Sequence, residues 1–138
     1  MPAINYIAVA AAGVVGWLVG ALWYGVLGKQ WMAALGWSAA DMAGPDGKRE
    51  MPMGPMVLAL VANVIMALML AGVIGHIAPA PNVAAGIVSG ALVWFGFVIT
   101  TESVNNAFQK RKAILTLIDG GHWLAVLIVQ GIVIGLFG

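Results

Sequence analysis

Three ionisable side chains, Glu102, Asp119 and His122, fall inside long apolar runs of this chain. Asn63, Thr100, Thr101, Asn105 and Asn106 are the neutral polar residues near them. A charge surrounded by hydrocarbon is expensive, so such groups mark functional sites by default. Glu102 stands eight or so residues before the basic stretch Gln109-Lys110-Arg111-Lys112, and Asp119 about eight after it. If two helices meet at that stretch, both carboxyls sit roughly 10 Å from it at about 1.5 Å per residue. Asp119 and His122 are three apart and share a helix face. Asn63 lies a comparable distance into its own run from Pro55.

Two carboxylates at one depth repel if both are ionised. They can share a proton, bind a cation, or pair with His122. The expected ion-binding cluster is therefore Asp119, Glu102, His122, Asn63, Thr101 and Asn105. A metal centre is not expected, because no His-x-x-x-His or Glu-x-x-His array is present. Nor is a cofactor: His76 and His122 fall in opposite halves of the bilayer, whereas a bis-histidine haem needs both on one iron. His76 is expected as a solvated helix end. A structural role competes with the functional one. Glu102 could pair with Lys110 or Arg111 near the headgroups. Asp119 could be held by Lys112 or cap a helix interrupted at Gly120-Gly121, and His122 could bond a neighbouring carbonyl. The paired glycines tip the balance to function, since broken spans line binding sites in transporters.

The elements that must position these residues are transmembrane helices. Hydrophobic residues make up 62% of the 138 and charged residues 8%, against about 25% charged in a soluble domain. Four runs reach the ~20 residues that cross a bilayer: Ile4–Leu27, Pro55–Ile77, Val83–Asn106 and Ala113–Phe137. They are too long and too evenly apolar for the alternating strands of a barrel. The expected fold is an all-α bundle of four spans forming one domain over residues 1–138, with a cytoplasmic loop at 28–54. Within that loop, Lys29–Trp37 reads as a short interfacial helix with tryptophan anchors, and Ser38-Ala39-Ala40-Asp41 as a capping pattern. Met1–Tyr6 holds no Lys or Arg, so the first run reads as a retained span rather than a cleaved signal.

With four spans, all six basic residues fall on one side: Lys29, Lys48 and Arg49 in the first connection, Lys110, Arg111 and Lys112 in the third. The positive-inside rule makes that side cytoplasmic and puts both termini outside. Gly16 and Gly20 form a GxxxG pair, and Gly86–Gly90 and Gly131–Gly135 repeat the spacing. Such pairs serve contact within the bundle or a homodimer seam; the first is the simpler use. Trp23, Tyr24, Trp31 and Trp37 read as a belt, while Trp17 lies too deep for one and should pack on a neighbouring helix. Net charge is +1, which gives no footprint for nucleic acid, and cysteine is absent. No nucleophile elbow, phosphate loop or zinc motif is visible.

The chain resembles a family of small bacterial four-helix membrane proteins of unknown function. The residues that carry the likeness are Gly20-Ala21-Leu22-Trp23-Tyr24, then Gly28-Lys29-Gln30-Trp31-Met32, and Ile118-Asp119-Gly120-Gly121-His122-Trp123 in the last span. The resemblance implies the same architecture and brings no activity. The family pattern more often has tyrosine where His122 stands. The leading expectation is a small homo-oligomeric transporter or channel of the bacterial inner membrane, in contact with lipid and with no cofactor. The alternative is a non-catalytic scaffold or accessory subunit of a larger membrane complex. A lipid-acting enzyme ranks last.

Overall fold

The computed structural model describes residues 4–50 and 52–138. Met1–Ala3, part of the stretch read above for a signal, and Met51 of the first connection lie outside them. Among the described residues, four helices are long and apolar enough to cross a membrane. They are α1 (Tyr6–Leu35), α2 (Met53–Ile77), a third span over Val83–Phe108, and α5 (Ala113–Leu136). The third span consists of α3 (Val83–Val93), a wide π-helical turn (Trp94–Val98) and α4 (Ile99–Phe108). The chain is thus an all-α, four-span protein of the multi-pass membrane kind.

Each boundary has a local cause. Asn5 caps α1, its side chain accepting from the Ile7 and Ala8 amides at 3.1 Å. The helix does not stop near Leu27. The stretch expected as a separate interfacial helix is its continuation, because nothing from Gly28 to Leu35 breaks a helix. It ends at Gly36, which takes the left-handed conformation (φ 74°), with Trp37 N–H returning to Met32 O at 2.9 Å. The connection that follows is ordered by local bonds. Ser38 opens a short 3₁₀ turn (Ala39–Met42) through a capping box with Asp41, and an isolated bridge joins Ala43 to Arg49. Pro79 and Pro81 separate α2 from α3, which Asn82 caps.

α5 is the central helix. It packs antiparallel to α1 and to the third span, and also touches α2. Glycine permits the closeness. Gly13 faces Val64 of α2, Gly16 faces Asn63 and Gln130, and Gly20 faces His122. Gly86 and Gly131 meet backbone to backbone between α3 and α5, as do Gly90 and Leu127. The GxxxG faces are therefore occupied inside one chain. Val9, Ala12, Ala67, Leu70, Ile74, Leu127 and Ile134 fill the half of the bundle near the 78–82 turn. The large apolar residues left outside, such as Leu22, Val26, Phe95 and Phe97, are those a lipid would cover.

Gly120-Gly121 does not interrupt α5, which runs unbroken from Ala113 to Leu136. The pair serves packing instead: a side chain at 120 would strike Ile99, and one at 121 would strike Trp23. The irregular turn lies in the third span. There the residues that face α5 are Gly86, Gly90, Trp94, Ile99, Glu102 and Asn106. Gly86, Gly90 and Trp94 are four apart, as are Glu102 and Asn106; the step from Trp94 to Ile99 across the π turn is five residues and that from Ile99 to Glu102 is three. Counted in fours from Trp94, positions 98, 102 and 106 continue the face that Gly86 and Gly90 begin, and Glu102 and Asn106 stand on it.

Candidate functional site

The polar residues of the bundle gather along one face of α5. At the end carrying the basic residues, a cavity of about 590 Å³ opens between α1, α4 and α5. Glu102 and Asp119 both line it, with Tyr24, Trp31, Trp123 and Arg111. The Tyr24 hydroxyl donates to Asp119 Oδ1. Tyr24 reaches it because α1 and α5 cross closely at Gly20, and because the indole of Trp23 donates to Ile118 O at 3.0 Å one turn away. Glu102 Oε2 is buried and has no hydrogen-bond partner among the described residues. A Cβ at Gly120 would lie 3.5 Å from that oxygen, which shows how near the α5 backbone it comes.

His122 follows, one turn deeper. It is 6% exposed, with its ring against Tyr24 (centroids 5.0 Å apart) and Trp123 (4.4 Å). Its Nε2 edge faces Gly20, and Nδ1 is buried without a partner among the described residues. Two turns further on, Gln130 is fully buried. Its Nε2 donates to Asn63 O at 3.0 Å and Asn63 Oδ1 at 3.2 Å, while its Oε1 has no partner among the described residues. Ser89 Oγ, at a matching level of α3, is likewise buried and unpartnered. Almost all buried polar atoms in proteins are hydrogen-bonded. Among the described residues four such side-chain atoms have no partner: Glu102 Oε2, His122 Nδ1, Gln130 Oε1 and Ser89 Oγ.

The structure thus brings Glu102, Asp119 and, one turn beyond, His122 to one region. It does not bring Asn63 there: Asn63 lies deeper, paired with Gln130, because α2 meets α5 around Gln130 and not around Asp119. Thr101 and Asn105 line the cavity from exposed positions, one residue off the face that carries Glu102 and Asn106. The Thr101 hydroxyl is spent on Phe97 O (2.5 Å) and Val98 O (3.0 Å) of its own helix. Asn106 reaches Thr116 Oγ1 at 3.0 Å. Among the described residues, no three His, Cys, Asp or Glu side chains stand close enough together to hold a metal ion. At the opposite end His76 is exposed and meets Gly72 O at 2.7 Å.

Sequence reasoning missed Gln130, Ser89 and the role of Tyr24. Gln130 is uncharged, yet it is the one side-chain amide in the run from Trp123 to Phe137, which was the available signal. Tyr24 read as a belt residue because its partner is 95 positions away.

A match to one protein family spans residues 7–135, nearly the whole bundle; its description reads "Protein of unknown function (DUF1761)". The chain belongs to this DUF1761 family. No curated protein matches it, and no solved structure does. Membership agrees with the likeness to four-helix membrane proteins of unknown function, and it leaves the chemistry to be argued from the DUF1761 chain's own site.

Proposed function

We propose that this chain is a small membrane transport protein in which Glu102 and Asp119 take up a proton or small cation from the cytoplasmic side. The observation that carries the reading is the unpartnered, buried Glu102 Oε2 in a cavity it shares with Asp119. An oxygen so placed needs a proton or a cation, because leaving it bare in a low-dielectric region is unfavourable. Tyr24 positions Asp119 by donating to it, and the faces of Trp31 and Trp123 suit a cation. His122, Gln130 and Ser89 continue the polar line towards the far side. The orientation rests on the six Lys and Arg residues at one end, and the setting is a bacterial inner membrane. A homo-oligomer would have to form through the lipid-facing surface, because Gly16 and Gly20 are used within each copy.

The test is flux into liposomes holding the purified protein and a pH-sensitive dye, driven by an imposed membrane potential. Asp119→Asn should abolish proton or cation entry while the protein still folds, and Glu102→Gln should slow it at least tenfold. Unchanged flux in Asp119→Asn removes Asp119 as the coupling residue. If the unaltered protein gives no flux but leaves the membrane bound to a larger polypeptide, the accessory-subunit reading takes its place.

A further inference from the structure

Beside the carboxylate cavity lies a second cleft, of about 530 Å³, between the overhanging end of α1 and the turn that joins α4 to α5. Its wall combines Lys110, Arg111 and Lys112 with Trp31, Trp37 and Leu115. We infer that this cleft binds the headgroup of one anionic phospholipid.

Four observations converge on an amphiphile. Three successive cationic side chains border one concavity, so a phosphate entering it meets several charges at once. Lys110 takes the left-handed conformation (φ 54°) that ends α4, with Arg111 N–H returning to Asn106 O at 2.9 Å, so the turn that carries the cations has a fixed backbone. The two indoles stand edge to face at 5.5 Å, forming the rigid aromatic rim found at headgroup level in membranes. Phe108 and Ile114, on either side of the turn, are exposed, which leaves apolar surface for acyl chains directly beside the cations. The Arg111 guanidinium is oriented by Gln109, Nε donating to Oε1 at 2.7 Å. Asp119 also touches this cleft, but it lies about 10 Å further along α5 than Lys112 and holds the Tyr24 hydroxyl. Free phosphate would satisfy the cations alone; the exposed apolar flank argues for lipid.

The experiment is native mass spectrometry of the full chain in mild detergent with added phosphatidylglycerol or phosphatidylcholine. One phosphatidylglycerol should be retained in preference to phosphatidylcholine. Each of Lys110→Gln, Arg111→Gln and Lys112→Gln should weaken retention roughly fivefold, the strength of one Lys or Arg near an anionic surface. Lys48→Gln, at the same end but outside the cleft, should not. These bases also direct insertion, so Ala34→Trp, which fills the cleft and keeps every charge, is the second variant; it should abolish the one-to-one complex. Equal retention of the two lipids, full retention by Ala34→Trp, or displacement of the lipid by millimolar inorganic phosphate would each overturn the proposal.

Discussion

Gly86 and Gly131 stack backbone on backbone: a Cβ on either would collide with the carbonyl group of the other. Neither contact can relax by turning a side chain. Gly86→Ala and Gly131→Ala should each destabilise the bundle by about 1–3 kcal/mol, the usual cost of overpacking. Gly25→Ala and Gly96→Ala, where the space is open, should be neutral or mildly stabilising. Thermal unfolding in one detergent compares them, and equal loss at all four positions would refute the close α3–α5 contact.

Glu102 and Asn106 are the residues of α4 that stand towards α5. The chain has no cysteine, so paired cysteines report the register without background. Asn106→Cys with Thr116→Cys should crosslink readily in membranes, since those side chains meet at 3.0 Å. Asn105→Cys with Thr116→Cys should crosslink at least tenfold more slowly. The opposite order would mean that α4 is rotated so that Thr101 and Asn105 face inwards.

The difference between those outcomes marks where the sequence stops being readable. Length and apolarity decide that there are four helices, because lipid leaves the backbone no other partner. The hairpin around Lys110–Lys112 brings Glu102 and Asp119 to one cavity by simple counting. Helix rotation is another matter. It depends on which faces the close glycine contacts bring together, and on where α2 meets α5, which pairs Asn63 with Gln130. The continuation of α1 to Leu35 was legible in the absence of breakers, but a bilayer-length criterion hides any helix that overruns the bilayer.

Gln130 and Asn63 form a buried amide pair between α2 and α5. Hydrogen bonds between transmembrane helices are worth about 0.6 kcal/mol on average and about 1.7 at most. A double-mutant cycle with Gln130→Leu and Asn63→Leu should give a coupling in that range. Coupling near zero would mean that the pair does not form.

Tyr24→Phe should leave the fold intact and impair the carboxylate site. The ring keeps its packing against Trp31 and His122, but Asp119 loses the hydroxyl that donates to it. In the liposome assay its flux should fall by about tenfold, the lower end of the cost of losing an outer partner that orients a binding carboxylate, with unfolding temperature little changed. Full flux in this variant would show that Asp119 works without Tyr24.

Outside the membrane, Asp41 offers a pH test of the first connection. The Ser38 backbone N–H donates to Asp41 Oδ2 at 2.5 Å and the Ser38 hydroxyl at 2.9 Å. Both bonds favour the carboxylate and hold Asp41 below its ordinary range, the backbone bond contributing most. A depressed folded value means that the capping box adds stability above the unfolded pKa, and that this is lost as pH falls through the folded one. Carboxyl-carbon NMR of the protein in detergent should therefore show Asp41 titrating below ordinary aspartates. Ser38→Ala removes only the hydroxyl, so it should move the titration part of the way back. An ordinary midpoint in the unaltered chain would mean that the box does not form in solution.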